Sequence, residues 1–420
     1  MKSASWVRIL CLVTTVALQA RADSFALKDG DRVVFYGDSI TDQRLYTTFV
    51  ETYVVTRFPK LDVTFVHSGW GGDRVTGGGG GPIDLRLRRD VFAYKPTVMT
   101  IMLGMNDGSY RAFDEKIFDT YAKGYQHILD SVKKELPGIR ITLIQPSPFD
   151  DVTQPPRFDG GYNAVLVRYS QFLKELAERE KSGVADLNSP VVAALEKAKA
   201  TDAEESKKII PDRVHPGPGG HLLMAAELLK SWQAPARVSA VEIDAAAKKV
   251  TDAKGTKVSG LKTGDEISWT QFDEALPMPV DLSDPVMALA VKSSDFVQAL
   301  NQETLKVMGL AASGYNLKID GEEIGSFTRE QLGGGINLSI LATPMAKQAA
   351  EVHKLTLQHN NIHFQRWRQV QVPFADGKTP RVQKAVQDLI TALDEEEGDV
   401  VKAQRAAAQP RSHQFQLAPK

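Results

Sequence analysis

A chain of 420 residues, 42% hydrophobic and 25% charged, has the length for two or three domains and the apolar content for a sizeable core. Its formal net charge of −1 supplies no basic field for nucleic acid or for an anionic membrane surface.

The first 22 residues read as a cleavable secretory signal. Lys2 and Arg8 make a basic start, Ile9 to Leu18 an apolar core, and Ala20-Arg21-Ala22 a cleavage pattern. The apolar run is too short for a stable membrane anchor, so a secreted or periplasmic protein is expected. Cys11, the single cysteine, lies before the cleavage pattern. The mature chain is therefore expected to use no disulfide, thiol nucleophile or cysteine-bound metal. Loss of Lys2, Arg8 and Arg21 leaves a mildly acidic chain of about −4, suited to solubility.

From Asp23 to about Pro235 apolar strands alternate with helical patterns. Strands are predicted at 32–36, 63–67, 97–103, 140–144 and 183–186. Helices are predicted at 45–58, 118–135, 162–181, 190–200 and 219–232. Such alternation specifies a parallel, doubly wound sheet covered on both faces, a three-layer α/β/α fold. The glycine run Gly77–Gly81 lacks the Gly-Lys-Ser/Thr of a phosphate-binding loop and reads as a loop shaping a substrate entrance.

Beyond Ala236 the texture changes to short strands punctuated by Gly, Asp and Pro. They are predicted at 238–243, 257–259, 266–270, 286–291, 304–307 and 315–319, with Asp320-Gly321 as a type I′ hairpin turn. A small, antiparallel, sandwich-like accessory domain is expected over 236–342. Thr343-Pro344 and Thr379-Pro380 each pair an N-cap with a proline at the first helical position, which predicts a helical segment over 343–420. The expected organisation is thus a signal at 1–22, a catalytic domain at 23–235, the β-rich domain, and the helical segment.

The chemistry is concentrated in the first half. Val33 to Tyr36 form a buried strand that breaks at Gly37-Asp38-Ser39, which places a serine at the carboxyl end of a sheet strand, where open α/β sheets hold ligands. A serine hydroxyl attacks an ester only when an imidazole takes its proton. His215 is the candidate base, and Asp212, three residues earlier, can hold its other ring nitrogen and stabilise imidazolium.

Four blocks stand in order: Gly37-Asp38-Ser39, the glycines around Gly72, Gly104-Met105-Asn106-Asp107, and Asp212-Arg213-Val214-His215. In this arrangement the chain resembles the SGNH (GDSL-type) serine hydrolases, whose three-layer α/β/α fold agrees with the strand–helix pattern. The resemblance implies Ser39, Asp212 and His215 as the triad. It also implies an oxyanion hole from the backbone amides of Ser39 and Gly72 and the side-chain amide of Asn106; Gly72, before Asp73, fits better than Gly69 or Gly71. Asp38 and Asp107 read as loop-stabilising acids. Trp70 is a candidate substrate contact, with a core position as the alternative. His353, His359 and His363 cluster on a helical stretch but lack a metal-binding pattern and read as a polar face.

The expected activity is an exported serine esterase removing small acyl groups, acetyl above all, from carbohydrate or other short-chain esters through an acyl-serine. The alternatives are a lysophospholipase or thioesterase and a non-catalytic carbohydrate-binding surface protein. No cofactor, metal or nucleic acid is implied. The expected partner is a small-molecule or polysaccharide ester.

Overall fold

A computed structural model describes residues 25–375 and 379–420; the predicted signal segment, with Cys11, lies outside the described residues. The N-terminal sheet is built from five strands: β1 (Arg32–Gly37), β2 (Thr64–Gly69), β3 (Val98–Met102), β4 (Arg140–Ile144) and β5 (Gly183–Ala185). They pair in the order β2-β1-β3-β4-β5, all parallel. Val33, Val34, Phe35 and Tyr36 are fully buried, as a central strand covered on both faces requires. The strand order reverses direction between β1 and β3, and it is outside the carboxyl ends of strands at such a point that doubly wound folds bind ligands.

The flanking helices are α1 (Ser39–Asp42), α2 (Leu45–Arg57), α3 (Ile83–Asp90), α4 (Glu115–Glu135), α5 (Asn163–Glu180), α6 (Ser189–Thr201) and α7 (Pro218–Ser231). Five of them lie where the apolar pattern placed them. The sequence reading gave no helix at α3, whose three arginines among eight residues hide a buried face formed by Ile83, Arg86, Leu87 and Asp90.

The second half departs further from expectation. Strands β6 (Arg237–Asp244), β7 (Lys249–Lys254), β8 (Thr256–Thr263), β9 (Ile267–Asp273), β10 (Gln302–Met308), β11 (Gly314–Ile319) and β12 (Glu322–Thr328) form two sheets. They are not purely antiparallel, because β6 and β10 pair in parallel. The hairpin turn at Asp320-Gly321 has both residues at positive φ, 53° and 82°, as a type I′ turn demands.

Residues 286–291, predicted as a strand, are instead part of helix α8 (Pro285–Lys292). A six-residue apolar run has no decisive period; Asp284 as N-cap and Pro285 at the first position select the helix. Met287, Leu289, Ala290 and Val291 then join the core of the parallel sheet rather than the β-rich one.

The C-terminal segment contains helices α9 (Pro344–Phe364) and α10 (Pro380–Ala407), with a π-helical turn at Gln365–Gln371. It is not helical to its end: Ser412–Pro419 forms β13, inserted between β9 and β11. His413, Phe415 and Leu417 point inward and alternate with polar residues, the period of a strand covered on one face.

Helix α2 is buried on almost every side because α7 and α9 both pack on it. At the α2–α9 contact, His359 Nδ1 lies 3.0 Å from Glu51 Oε1 and Nε2 lies 3.1 Å from Glu397 Oε1. Only imidazolium can donate from both nitrogens. Burial opposes the charge, but the two carboxylates outweigh it and hold His359 up at about 10. Against the same burial, His359 draws Glu51 well below the usual carboxylate range, and hydrogen bonds from His359 and His363 bring Glu397 down to about 2. His67, 3.5 Å from Glu51, and His353, bonded to Thr52, are pushed down to about 4 by burial. The histidines weighed as metal ligands are thus engaged with Thr52, Glu51 and Glu397. No group of three His, Cys, Asp or Glu converges as a metal site among the described residues.

A pH dependence follows by linkage. The raised His359 stabilises the fold fully below its ordinary value of 6.5 and loses that contribution as pH rises through about 10. The depressed carboxylates contribute above 4.5 and lose it as pH falls through about 2. Neutral, buried His67 and His353 add a cost as pH falls from 6.5 through about 4. His359→Gln is expected to flatten the fall of the thermal midpoint between about pH 6.5 and 10. A wild-type midpoint that stays level from about pH 5 to 9 would contradict this assignment.

Candidate active site

Gly37 ends β1 where a side chain has no room: a Cβ there would lie 2.7 Å from the Met102 carbonyl oxygen on β3 and 2.2 Å from Thr41 Oγ1. Asp38 then caps α1 by accepting the Ile40 amide at 3.1 Å, which starts the helix at Ser39. The loop after Ile210 leads into α7. Arg213, at φ 74°, anchors this loop by donating to the Pro155 carbonyl at 2.8 Å. The Asp150 amide donates back to the Arg213 carbonyl at 2.9 Å.

The end of β1 and this loop bring Ser39, His215 and Asp212 together. Ser39 Oγ is 2.8 Å from His215 Nε2, and His215 Nδ1 is 2.7 Å from Asp212 Oδ2. Asp212 Oδ1 accepts the backbone amides of Val214 and His215 at 2.9 and 2.7 Å. Burial raises the Asp212 carboxyl, but these hydrogen bonds and the His215 ring outweigh it and hold it below its ordinary value. An ionised Asp212 fixes the tautomer with the proton on Nδ1, so that Nε2 can accept from the serine.

The loop after β2 supplies the second element. The Gly71 amide donates to Asp42 Oδ2 at 3.2 Å, whereas the Gly72 amide has no partner among the described residues. Gly72 has φ 78°, a left-handed conformation natural to glycine, and open space where a side chain would stand. After β3, Asn106 Nδ2 donates to the Asp73 carbonyl at 3.1 Å, and its Oδ1 accepts from Tyr110 Oη at 2.9 Å. A hydroxyl, an imidazole, a carboxylate and nearby unspent amide donors are the parts that acyl transfer requires.

Residues 35–223 match the model of the GDSL-like lipase/acylhydrolase family. The chain is 26% identical to an acetylxylan esterase of Geobacillus stearothermophilus, over 48% of this chain and 93% of that protein. The fold aligns with a gut microbial diltiazem-metabolizing enzyme at a TM-score of 0.81 and 29% identity, covering 94% of this chain and 98% of that one. Residues 35–223 thus form an SGNH (GDSL-type) hydrolase domain. It is a carboxylic ester hydrolase.

Beneath the site of this GDSL hydrolase lie two buried acids. Burial pushes Asp38 up to about 7, against the Ile40 hydrogen bond, and Asp107 up to about 6, against the Val75 amide that it accepts at 3.0 Å. Both are tied to backbone amides, the loop-holding position expected for them.

Trp70 is 8% exposed, between Arg86 and Arg89, with Arg368 over its ring and Trp367 at its edge. The structure places it in the packing behind the glycine loop, the core alternative weighed for it. Three other residues stand around the site, of which Arg86 and Tyr110 were not singled out from the sequence. Arg86, fully buried, donates to Asp73 Oδ2 at 2.7 Å and to the Ser68 carbonyl at 2.8 Å, and pairs with Asp90. Trp367, from the C-terminal segment, donates its indole N–H to Asp90 Oδ1 at 2.6 Å. Tyr110 holds Asn106. The Arg86–Asp90 spacing of four on a helix was the one available signal.

Proposed function

We propose that this hydrolase is an exported serine esterase that removes acetyl or other short acyl groups, preferentially from carbohydrate, through an acyl-serine intermediate. The observation that carries the reading is the continuous hydrogen-bonded line from Ser39 Oγ through His215 to Asp212. In this reading His215 Nε2 takes the serine proton as Oγ adds to the ester carbonyl. The oxyanion that forms is received by the amides of Ser39 and Gly72 and by the Asn106 Nδ2–H not given to Asp73. His215 returns the proton to the leaving alcohol as the tetrahedral intermediate collapses. A water molecule, deprotonated by the same imidazole, then frees the acid and restores Ser39.

The choice of a small acyl group on a bulky alcohol rests on two supports. The side chains of Asp212 and His215 are 55% and 36% exposed, so the triad faces open solvent where a polymer can approach. The similarity to an acetylxylan esterase favours the same class of ester. Export rests on the signal pattern of residues 1–22 alone.

The test is a panel of 4-nitrophenyl esters from acetate to long chains, together with acetylated xylan. Acetyl release from the polysaccharide and a kcat/KM that falls with chain length are expected. A preference for long acyl chains by tenfold or more would replace this reading with a lipolytic one.

A further inference from the structure

We propose that Tyr110 is a positioning residue of the oxyanion hole, holding and polarising the Asn106 amide from the side away from the substrate. The proposal deepens the catalytic reading above and rests on Asn106 being an oxyanion donor.

An asparagine amide offers two N–H donors and one carbonyl. Asn106 spends one N–H on the Asp73 carbonyl at 3.1 Å and its Oδ1 on the Tyr110 hydroxyl at 2.9 Å. That leaves a single N–H unassigned. The Asp73 carbonyl, an acceptor only, sets which way the amide faces, since the flipped form would set Oδ1 against another oxygen. The Tyr110 hydroxyl supplies what Asp73 cannot. It closes the opposite side of the amide against rotation, and by donating into Oδ1 it makes the remaining N–H a stronger donor.

The chain goes out of its way to place this hydroxyl. Ser109 and Tyr110 are successive non-glycine residues at φ 57° and 54°. A left-handed conformation is unfavourable for such residues, and it persists where the surroundings hold it. Here the Tyr110 ring packs against Tyr162 at 5.1 Å and Phe149 at 6.2 Å between centroids. Tyr162 in turn donates to the Met105 carbonyl at 2.7 Å, which fixes the residue before Asn106. Burial, with Asp38 and Asp212 nearby, pushes the Tyr110 phenol up to about 12, so it remains a donor across the working pH range. At 39% exposed, its ring is not a core side chain that packing alone would retain.

The experiment is a double-mutant cycle on kcat for 4-nitrophenyl acetate, with thermal midpoints recorded for each protein. Tyr110→Phe removes one oxygen and is expected to lower kcat on the order of five- to tenfold with KM within about twofold, the loss of one neutral hydrogen bond felt in the transition state. Asn106→Ala is expected to lower kcat about 10²–10³-fold. Adding Tyr110→Phe to Asn106→Ala is expected to change nothing further. Wild-type kcat in Tyr110→Phe, beside a damaged Asn106→Ala, would overturn the role of Tyr110 alone. An equal loss from Tyr110→Phe in both backgrounds would overturn it too, because Tyr110 would then act on something other than Asn106. An Asn106→Ala enzyme with wild-type kcat would instead overturn the oxyanion assignment on which the proposal rests.

Discussion

Replacing Ser39 with alanine is expected to lower kcat for an acetyl ester by about 10⁴-fold or more, with little change in thermal midpoint. The size follows from what is lost. Ser39 Oγ lies 2.8 Å from His215 Nε2, and without it the imidazole can act only on water. His215→Ala should cost about as much, and the double variant little more than either alone, because a nucleophile and its base act as one unit. The stability forecast is equally specific. Ser39 occupies the first turn of a four-residue helix whose cap is Asp38, and the cap bond to Ile40 survives the substitution. Losses that simply add in the double variant would show that the two side chains work separately.

The largest expected effect on folding is at Arg86. Its guanidinium is fully buried and joins Asp73, Asp90 and the Ser68 carbonyl. Arg86→Met keeps much of the packing against Tyr36 and Trp70 but leaves the Asp73 carboxylate buried without its cation. Asp90 retains Arg89 at 2.7 Å and Trp367 at 2.6 Å. Stranding one buried charge costs about 3–5 kcal/mol, which denaturant unfolding would read directly. Activity should fall as well at temperatures where the variant is folded, since the Asp73 carbonyl holds Asn106 and its residue adjoins Gly72. A loss below about 1 kcal/mol would mean that the carboxylate finds water or a proton in place of Arg86.

Through Asp90, this network also explains the seat of the C-terminal segment. Trp367 lies more than 270 residues from Asp90 in sequence, yet its indole completes the ionic cluster behind the glycine loop. The segment is therefore a buttress of the catalytic domain, joined to it again by His359 and Glu51 on α2.

The catalytic half was legible because its signals are local. A buried strand such as Val33–Tyr36 shows as a continuous apolar run, and each site residue follows a strand or precedes a helix, in a stretch marked by Gly, Asn or Asp. The Asp212–His215 spacing of three let one loop present both groups to each other. Trp70 was ambiguous for a physical reason: its neighbour Trp367 arrives from the far end of the chain, and no local pattern records it. The same holds for β13, whose alternation over 412–419 is plain once strands β9 and β11 flank it but follows a long helix. At 286–291 the local signal was present and misweighted, because Asp284-Pro285 is a helix start and the apolar run after it carries no period. Arg86 and Tyr110 were missed because burial of an arginine and the aim of a hydroxyl are properties of the assembled fold.

The central claim is that Ser39 is the nucleophile, and the direct test is stoichiometric labelling with an organophosphonate ester, followed by mass mapping. One phosphonyl group per chain on Ser39 is expected, with activity lost in proportion and no label on Ser39→Ala. Label on another residue, or full activity in a fully labelled protein, would contradict the account.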